Sequence, residues 1–570
     1  MHKRWDIKEQ GDADKIRHLS EALNIDKIIA KLLVQRGIYT YDHAKKFFRP
    51  ELSHLYDPFL MKDMDRAVSR LEQAIKNKEK VLVYGDYDVD GTTSVSMIYS
   101  FLKERELQPG YYIPDRYSEG YGLSYKGIDH AAENGYSLVI ALDCGIKAVD
   151  KIKYANEKNI DFIICDHHNP GETLPEAYAV LDPKRKDCDY PYKELSGCGV
   201  GFKMLQAYCI KNNIPFEEIG QYLDLVAVSI ASDIVPITDE NRALAFYGLK
   251  KLNTNPQTGL RSIINVAGIG RKEILVNDIA FMIGPRINAA GRIETGSEAV
   301  KLLISDDEET TDNIAEKINM YNTQRKDLDS SITKEALNYI EANDDLINRK
   351  TTVLYDPGWH KGVIGIVASK LIENYYRPTI VLTESNGMAT GSARSVHDFN
   401  IYNAIEECSD LLENFGGHMY AAGVTMKVEN IDAFSKRFEE VVSSTIKDDQ
   451  LVPRIRIDSS LDLADITPKF YRILKQFEPF GQDNMPPVFM TENVRDTGTG
   501  KIVGKTGEHL KMDISQDQEP DHVFPAIAFN RADFFSSIQG RSPFNICYTV
   551  KENEYNGRVS LQIRVKDMRV

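Results

Sequence analysis

Lys80-Val81-Leu82-Val83-Tyr84-Gly85-Asp86-Tyr87-Asp88-Val89-Asp90-Gly91 is the stretch that decides the fold. Its first five residues form a short β-branched run that stops at Gly85, and a helical pattern follows over 92–106. The design recurs twice. Residues 137–142 close on Asp143-Cys144-Gly145, and residues 161–165 close on Asp166-His167-His168-Asn169-Pro170. Continuous apolar strands alternating with helices predict a parallel sheet covered on both faces.

Working outward, residues 1 to about 50 carry helical patterns that end near Pro50. Residues 306–350 hold neither glycine nor proline, and Ile314, Ile318, Tyr321, Leu328 and Ile332 recur at helical spacing. Long connecting helices are expected there. A second α/β unit begins at Thr351-Thr352-Val353-Leu354-Tyr355. After Leu451 come short strands with Gly and Asn turns: 511–514, 526–529, 545–550 and 559–563. These predict a small barrel, an OB-fold being one candidate. The expected division is 1–55 helical, 56–255 catalytic, 256–350 connecting, 351–450 substrate-binding and 451–570 barrel.

The chain has 570 residues and a formal charge of -15, which argues against a uniformly basic nucleic-acid binder but leaves room for a local basic groove. The 120 residues from Leu451 carry 16 basic and 16 acidic residues, so the imbalance belongs to the first 450. No run reaches the roughly 18–20 apolar residues of a membrane span, and the N-terminus lacks the apolar core of a leader. Seven cysteines without a C-x-x-C spacing argue against a disulfide framework or a cysteine zinc site. A cytoplasmic protein without a membrane partner is expected.

Asp86, Asp88 and Asp90 sit at alternate positions in one turn, where they repel one another. A divalent cation is one compensation, because hard oxygen ligands suit Mg²⁺ and Mn²⁺. An Asp-rich helix cap is the other. Asp143, His167 and His168 lie at two further strand ends, and Asp233 follows the apolar run 225–231. In open α/β sheets ligands bind at the carboxyl ends of strands, so the four places are expected to converge on a metal site.

The order D-x-D-x-D-G, D-C-G, D-H-H and a late Asp before Pro resembles the DHH phosphoesterase superfamily. The likeness continues through Gly284-Pro285-Arg286-Ile287-Asn288-Ala289-Ala290-Gly291-Arg292, Gly358-Trp359-His360-Lys361-Gly362, Gly391-Ser392-Ala393-Arg394-Ser395 and Phe415-Gly416-Gly417-His418. Within that superfamily it is similar to the single-strand-specific 5′→3′ DNA exonucleases. The resemblance implies a two-lobed α/β core of parallel-sheet DHH and DHHA1 domains joined by long helices, with an OB-like barrel. It implies hydrolysis with two Mn²⁺ or Mg²⁺ ions and release of nucleoside 5′-monophosphates. By carry-over Asp88, Asp90, Asp143, His167 and Asp233 are ligands, Asp86 is a ligand or stands just behind them, His168 faces the phosphate and Asp166 orients the imidazoles. Some relatives have His where this chain has Tyr84, which predicts looser binding of one metal.

Arg116, Arg286, Asn288, Arg292, Ser392, Arg394, Gly416, Gly417 and His418 are the expected substrate-binding set, since Arg forks match phosphate and glycine lets backbone come close. Surface ion pairs and plain turns are the ordinary alternatives. Tyr117, Tyr121, Trp359 and Tyr420 are candidates for stacking on bases. The implied partner is a single strand with a 5′ end, with a helicase and a single-strand-binding protein assisting a monomer. The competing functions are hydrolysis of short oligonucleotides or cyclic dinucleotides, and an inactive single-strand-binding scaffold.

Overall fold

Strands that are apolar on both faces must be covered on both, and that requirement builds the first lobe. In the computed structural model, which describes residues 3–269, 273–516, 519–539, 542–555 and 557–570, Val81–Gly85 and Leu138–Leu142 are buried throughout. They lie side by side in a five-stranded, wholly parallel sheet. Its order is Gly110–Tyr112, Val81–Gly85, Leu138–Leu142, Asp161–Cys165, Ala179–Leu181. The chain leaves Val81–Gly85 to one side and returns on the other, so the order of strand addition reverses between that strand and Leu138–Leu142. Such a switch opens a crevice at the carboxyl ends of the two strands.

The apolar run before Asp233 is part of a helix, Leu223–Ser232, and nearly all of it is buried. It packs in one core with helices Val89–Lys103 and Gly197–Lys211. The long connection is a single 34-residue helix, Glu308–Glu341. Ala315, Ile318 and Tyr321 on its first half belong to the first lobe's core. Ile332, Ala336 and Ile340 on its second half pack with Leu354, Val363 and Val367 of the second lobe. One rigid rod therefore carries both lobes.

The second lobe's sheet is mixed, which refines the expected parallel core. Only Thr352–Tyr355 and Thr379–Ser385 pair in parallel; Met388–Arg394, Ala421–Met426 and Asn414–His418 continue it antiparallel. Its α/β character comes from helices such as Ile364–Asn374, which packs on this sheet's strands and shares a core with the long rod.

A separate unit comprises residues 3–49, 448–480 and 484–570. Strands 489–496, 544–555, 558–569, 519–528 and 509–516 form a ring that closes by pairing of the last with the first. The N-terminal helices share its core, with Leu19, Ile29 and Leu33 beside Phe470 and Phe477. Arg4–Ile7 is a strand paired in parallel with Arg454–Ile457, a partner about 450 residues away that no local pattern announces. All seven cysteines are free and buried. Among the described residues no helix is long and apolar enough to cross a membrane.

Candidate active site

The turn after Val81–Gly85 gives its three aspartates different tasks. Asp88 caps helix Val89–Lys103, accepting from Gly91 N–H at 3.1 Å. Asp90 turns into the lobe and accepts from Gly197 N–H (2.6 Å) and Cys198 N–H (2.8 Å), the start of helix Gly197–Lys211, and from Ser229 Oγ (2.7 Å). Asp86 accepts from Gly122 N–H at 3.3 Å while its other oxygen is buried without a partner. Gly91 is required, since a Cβ there would collide with the Asp86 backbone.

The remaining donors arrive from the neighbouring strand ends and, for Asp233, from the end of helix Leu223–Ser232. Asp143 holds a left-handed φ of 59° and donates its N–H to Cys165 O at 2.9 Å. His167 Nε2 lies 3.2 Å from Asp143, 3.5 Å from Asp233 and 3.7 Å from Asp90. Two sets of donor atoms, from Asp143, His167 and His168 and from Asp90, His167 and Asp233, each fall within 4.8 Å of one another. The structure thus brings Asp90, Asp143, His167 and Asp233 together. Asp88 lies close enough to Asp143 to share a hydrogen bond, and Asp88 is the carboxylate that acts most strongly on Asp86.

Crowding of like charge has the expected electrical result. Burial, then the neighbouring carboxylates, push Asp86, Asp88, Asp143 and Asp233 above the usual carboxylate range. Burial pushes His167 down and so keeps its ring neutral, and its Nδ1 has no partner. Crowded carboxylates, one of them with an orphaned buried oxygen (Asp86), beside a neutral imidazole form a donor set that fits Mn²⁺ or Mg²⁺.

Asp166 is the counterexample. Burial works against its charge, yet His168 and the Ile146 N–H hold it down at about 2. Its oxygens take His167 N–H (2.8 Å), His168 Nδ1 (2.7 Å) and Ile146 N–H (2.9 Å), so it orients the loop. Asp166 in turn holds His168 up at about 9 against burial. The far nitrogen of that ring lies 3.1 Å from Tyr121 Oη.

A second cluster carries the opposite sign. Burial, followed by Arg116, Arg325 and Arg394, pulls Arg292 down to about 9. Arg292 Nη1 donates to Gly362 O at 2.9 Å, and its own carbonyl accepts from Tyr117 Oη. Arg286 donates to Asn319 Oδ1 (3.0 Å) and Met282 O (2.7 Å) and is lowered by burial and Arg325. Arg116 lies over the Tyr87 ring at 4.8 Å. Asn288 is one helical turn before Arg292, partly buried.

In the second lobe, register sets a common face. Gly416, Gly423 and Ser392 are cross-strand partners, as are His418, Ala421 and Arg394 two residues along. Side chains two apart on a strand share a face, so Ser392, Arg394 and His418 rim a floor of glycine and alanine. A Cβ on Gly416 would meet nothing within 4 Å; Gly417 points to the other face. Burial, then Arg394 and His168, hold His418 below its ordinary value, which ties this face to the first lobe's histidines.

The sequence reading missed Arg325, which Asp329 (3.0 Å) and Asn322 (2.6 Å) hold on the long rod, and Lys361, lowered by burial and Arg116. Arg325 lies in a plain helical repeat and gives no local signal; Lys361, in a quoted motif, did. Of the stacking candidates, Tyr117 and Tyr121 bond to Arg292 and His168, Trp359 Nε1 donates to Glu335 at 3.2 Å, and Tyr420 is 43% exposed.

Comparison with known proteins fits this picture. Residues 80–230 match the DHH family N-terminal domain, 348–444 the DHHA1 domain and 457–567 the RecJ OB domain. The chain is 38% identical over its whole length to the single-stranded-DNA-specific exonuclease RecJ of Bacillus subtilis, covering 71% of that protein. It is 30% identical to the Escherichia coli protein of the same description, over 95% of each. A crystal structure of RecJ with Mn²⁺ from Thermus thermophilus superposes with a TM-score of 0.84 at 26% identity, over 100% of this chain and 79% of that one.

Proposed function

The chain belongs to the RecJ family of DHH phosphoesterases, and from that premise we propose that it degrades single-stranded DNA from the 5′ end, releasing nucleoside 5′-monophosphates. It is a metal-dependent, single-strand-specific exonuclease of DNA repair and recombination. The observation that carries the reading is the convergence of the Asp90, Asp143, His167 and Asp233 donor atoms in the first lobe's crevice, with Arg292 of the same lobe bonded to the second lobe at Gly362 O.

Asp88, Asp90, Asp143, His167 and Asp233 would hold Mn²⁺ or Mg²⁺, with Asp86 behind Asp88. Such ions make water acidic and neutralise charge on the attacking and leaving oxygens of a phosphodiester. Asp90 cannot swing, because two backbone amides and Ser229 fix both oxygens. His168, kept protonated by Asp166, presents a cation to the phosphate. Arg116, Arg292 and Arg394 neutralise the strand's other phosphates as forks. Gly416 opens the rim so that backbone can approach, and Asn288 lies along the same path. A gap between the faces that admits one strand and excludes a duplex would account for the single-strand specificity. The barrel, matching the RecJ OB domain, supplies a further single-strand-binding module, and a helicase and a single-strand-binding protein supply substrate to a cytoplasmic monomer.

Digestion of strands labelled at either end tests this. With Mn²⁺ or Mg²⁺ the 5′ label should appear first as mononucleotide, and chelator should stop release. Earlier release of the 3′ label would overturn the polarity.

A further inference from the structure

Immediately before the arginine-bearing helix Gly284–Ile293, residues Ile279–Ile283 form a single π-helical turn, closed by a hydrogen bond from Gly284 N–H to Ile279 O. Its cause is covalent. Pro285 has no N–H to offer the Phe281 carbonyl, four residues back, so the α-helical ladder cannot run through this point. Gly284 then pins the turn in place, because a Cβ there would lie 2.6 Å from Ser232 Oγ, beside Asp233.

Ile279 and Ile283 are buried. Phe281, two residues from each, is turned roughly half a revolution away from them. It is 75% exposed, more than any other large apolar side chain among the described residues. A single exposed apolar residue is ordinary. This one has a particular neighbour: Arg286 Nη1 donates to the carbonyl of Met282 at 2.7 Å, so a guanidinium is folded back onto the π turn. A phosphate-binding cation and a bare ring on one element are what a single strand requires, charge for its backbone and a π face for a base. π turns also occur frequently at functional sites.

We propose that Phe281 stacks on a base of the DNA strand while the adjoining phosphates engage Arg286 and Arg292. The inference rests on the exonuclease reading and adds to it a base contact that reads no sequence. It assigns Phe281 to positioning the strand; Phe281 takes no part in bond cleavage.

The test compares the full chain with Phe281→Ala and Phe281→Tyr on an ordinary oligonucleotide and on one whose central bases are replaced by abasic sites. Phe281→Ala should raise KM, and Kd in chelator, by roughly ten- to a hundredfold, with kcat unchanged; Phe281→Tyr should restore both. The abasic strand should bind the parent and the alanine variant equally. The slope of log Kd against log salt should not change, because no phosphate contact is removed. Equal binding of the ordinary strand by parent and Phe281→Ala would overturn the proposal, and so would a reduced salt slope. Failure of the parent to digest single strands with either metal would instead break the proposed function, and the binding arm in chelator would still decide Phe281.

Discussion

The acid crevice and the arginine cluster are mirror images in charge and differ in how they are built. The carboxylates hang from strand ends and a helix start of one sheet and, for Asp233, from the end of helix Leu223–Ser232, and Asp90 is locked by two amides and a hydroxyl. The arginines come from a loop, two helices and the second lobe, and Arg292 reaches the second lobe's backbone at Gly362. Burial and then like charge push Asp143 up and Arg292 down, away from their charged forms. Asp143 therefore calls for a cation and Arg292 for an anion, and the construction shows how each would be held. A resident cation suits the rigid acid site, whereas a strand that must advance suits a cluster distributed over two lobes.

The hardest blow to this contrast falls on the acid side. Asp143→Ala should reduce nucleotide release to background at any Mn²⁺ or Mg²⁺ concentration while single-strand binding in chelator persists. Hydrolysis at the parent rate would remove Asp143 from the metal site. On the cationic side the loss should be graded. Arg292→Ala should raise KM by roughly ten- to a hundredfold, the worth of a hydrogen bond to a charged group. Arg292→Lys should recover little of this, because an ammonium cannot fork. A kcat loss at unchanged KM would move Arg292 into the chemistry.

Metal and pH together probe the acid cluster without mutation. A carboxylate whose folded pKa is raised stabilises the fold below its unfolded value, and that contribution is lost as pH rises through the folded value. Asp86, Asp88, Asp143 and Asp233 are all raised, so the metal-free chain should lose stability from mildly acidic to neutral pH. Mn²⁺ should restore it, raising Tm by a few degrees at neutral pH and by progressively less as pH falls. A metal-induced rise of equal size at acidic and neutral pH would show that these carboxylates do not bind the ion.

How much of each cluster was legible follows from its construction. Strands 81–85, 138–142 and 161–165 are buried on both faces, so they read as unbroken apolar runs, and their acids stand at once after them. Strands Gly110–Tyr112 and Ala179–Leu181 have three residues each, too few for a pattern. The run before Asp233 is apolar on every side because the helix is buried all round, and periodicity cannot assign it. Arg325 depends on the folding of a 34-residue rod between two cores, and Phe281 on a missing amide hydrogen at Pro285. Both are consequences of three-dimensional placement, whereas the acids are consequences of where strands stop.

The smallest effect concerns Tyr84, from which the resemblance predicts looser binding of one metal. Its ring is buried and stacked on Tyr112 at 5.3 Å, and its hydroxyl donates to Gly122 O at 3.0 Å. Gly122 N–H in turn donates to Asp86. Tyr84 therefore acts on the acid site through a backbone strut, and its oxygen is already committed to that carbonyl. Tyr84→Phe keeps the stack and the burial and deletes the hydroxyl's bond to Gly122 O together with its long contact to Ser124 Oγ at 3.5 Å, which costs about 0.5–1.5 kcal/mol of stability in urea unfolding. The Mn²⁺ concentration for half-maximal activity should hardly move, because Asp86 keeps its amide donor. A large increase in that concentration would place the tyrosine oxygen among the groups the ion contacts, and the rigid half of the comparison would gain a member the geometry assigns to its scaffold.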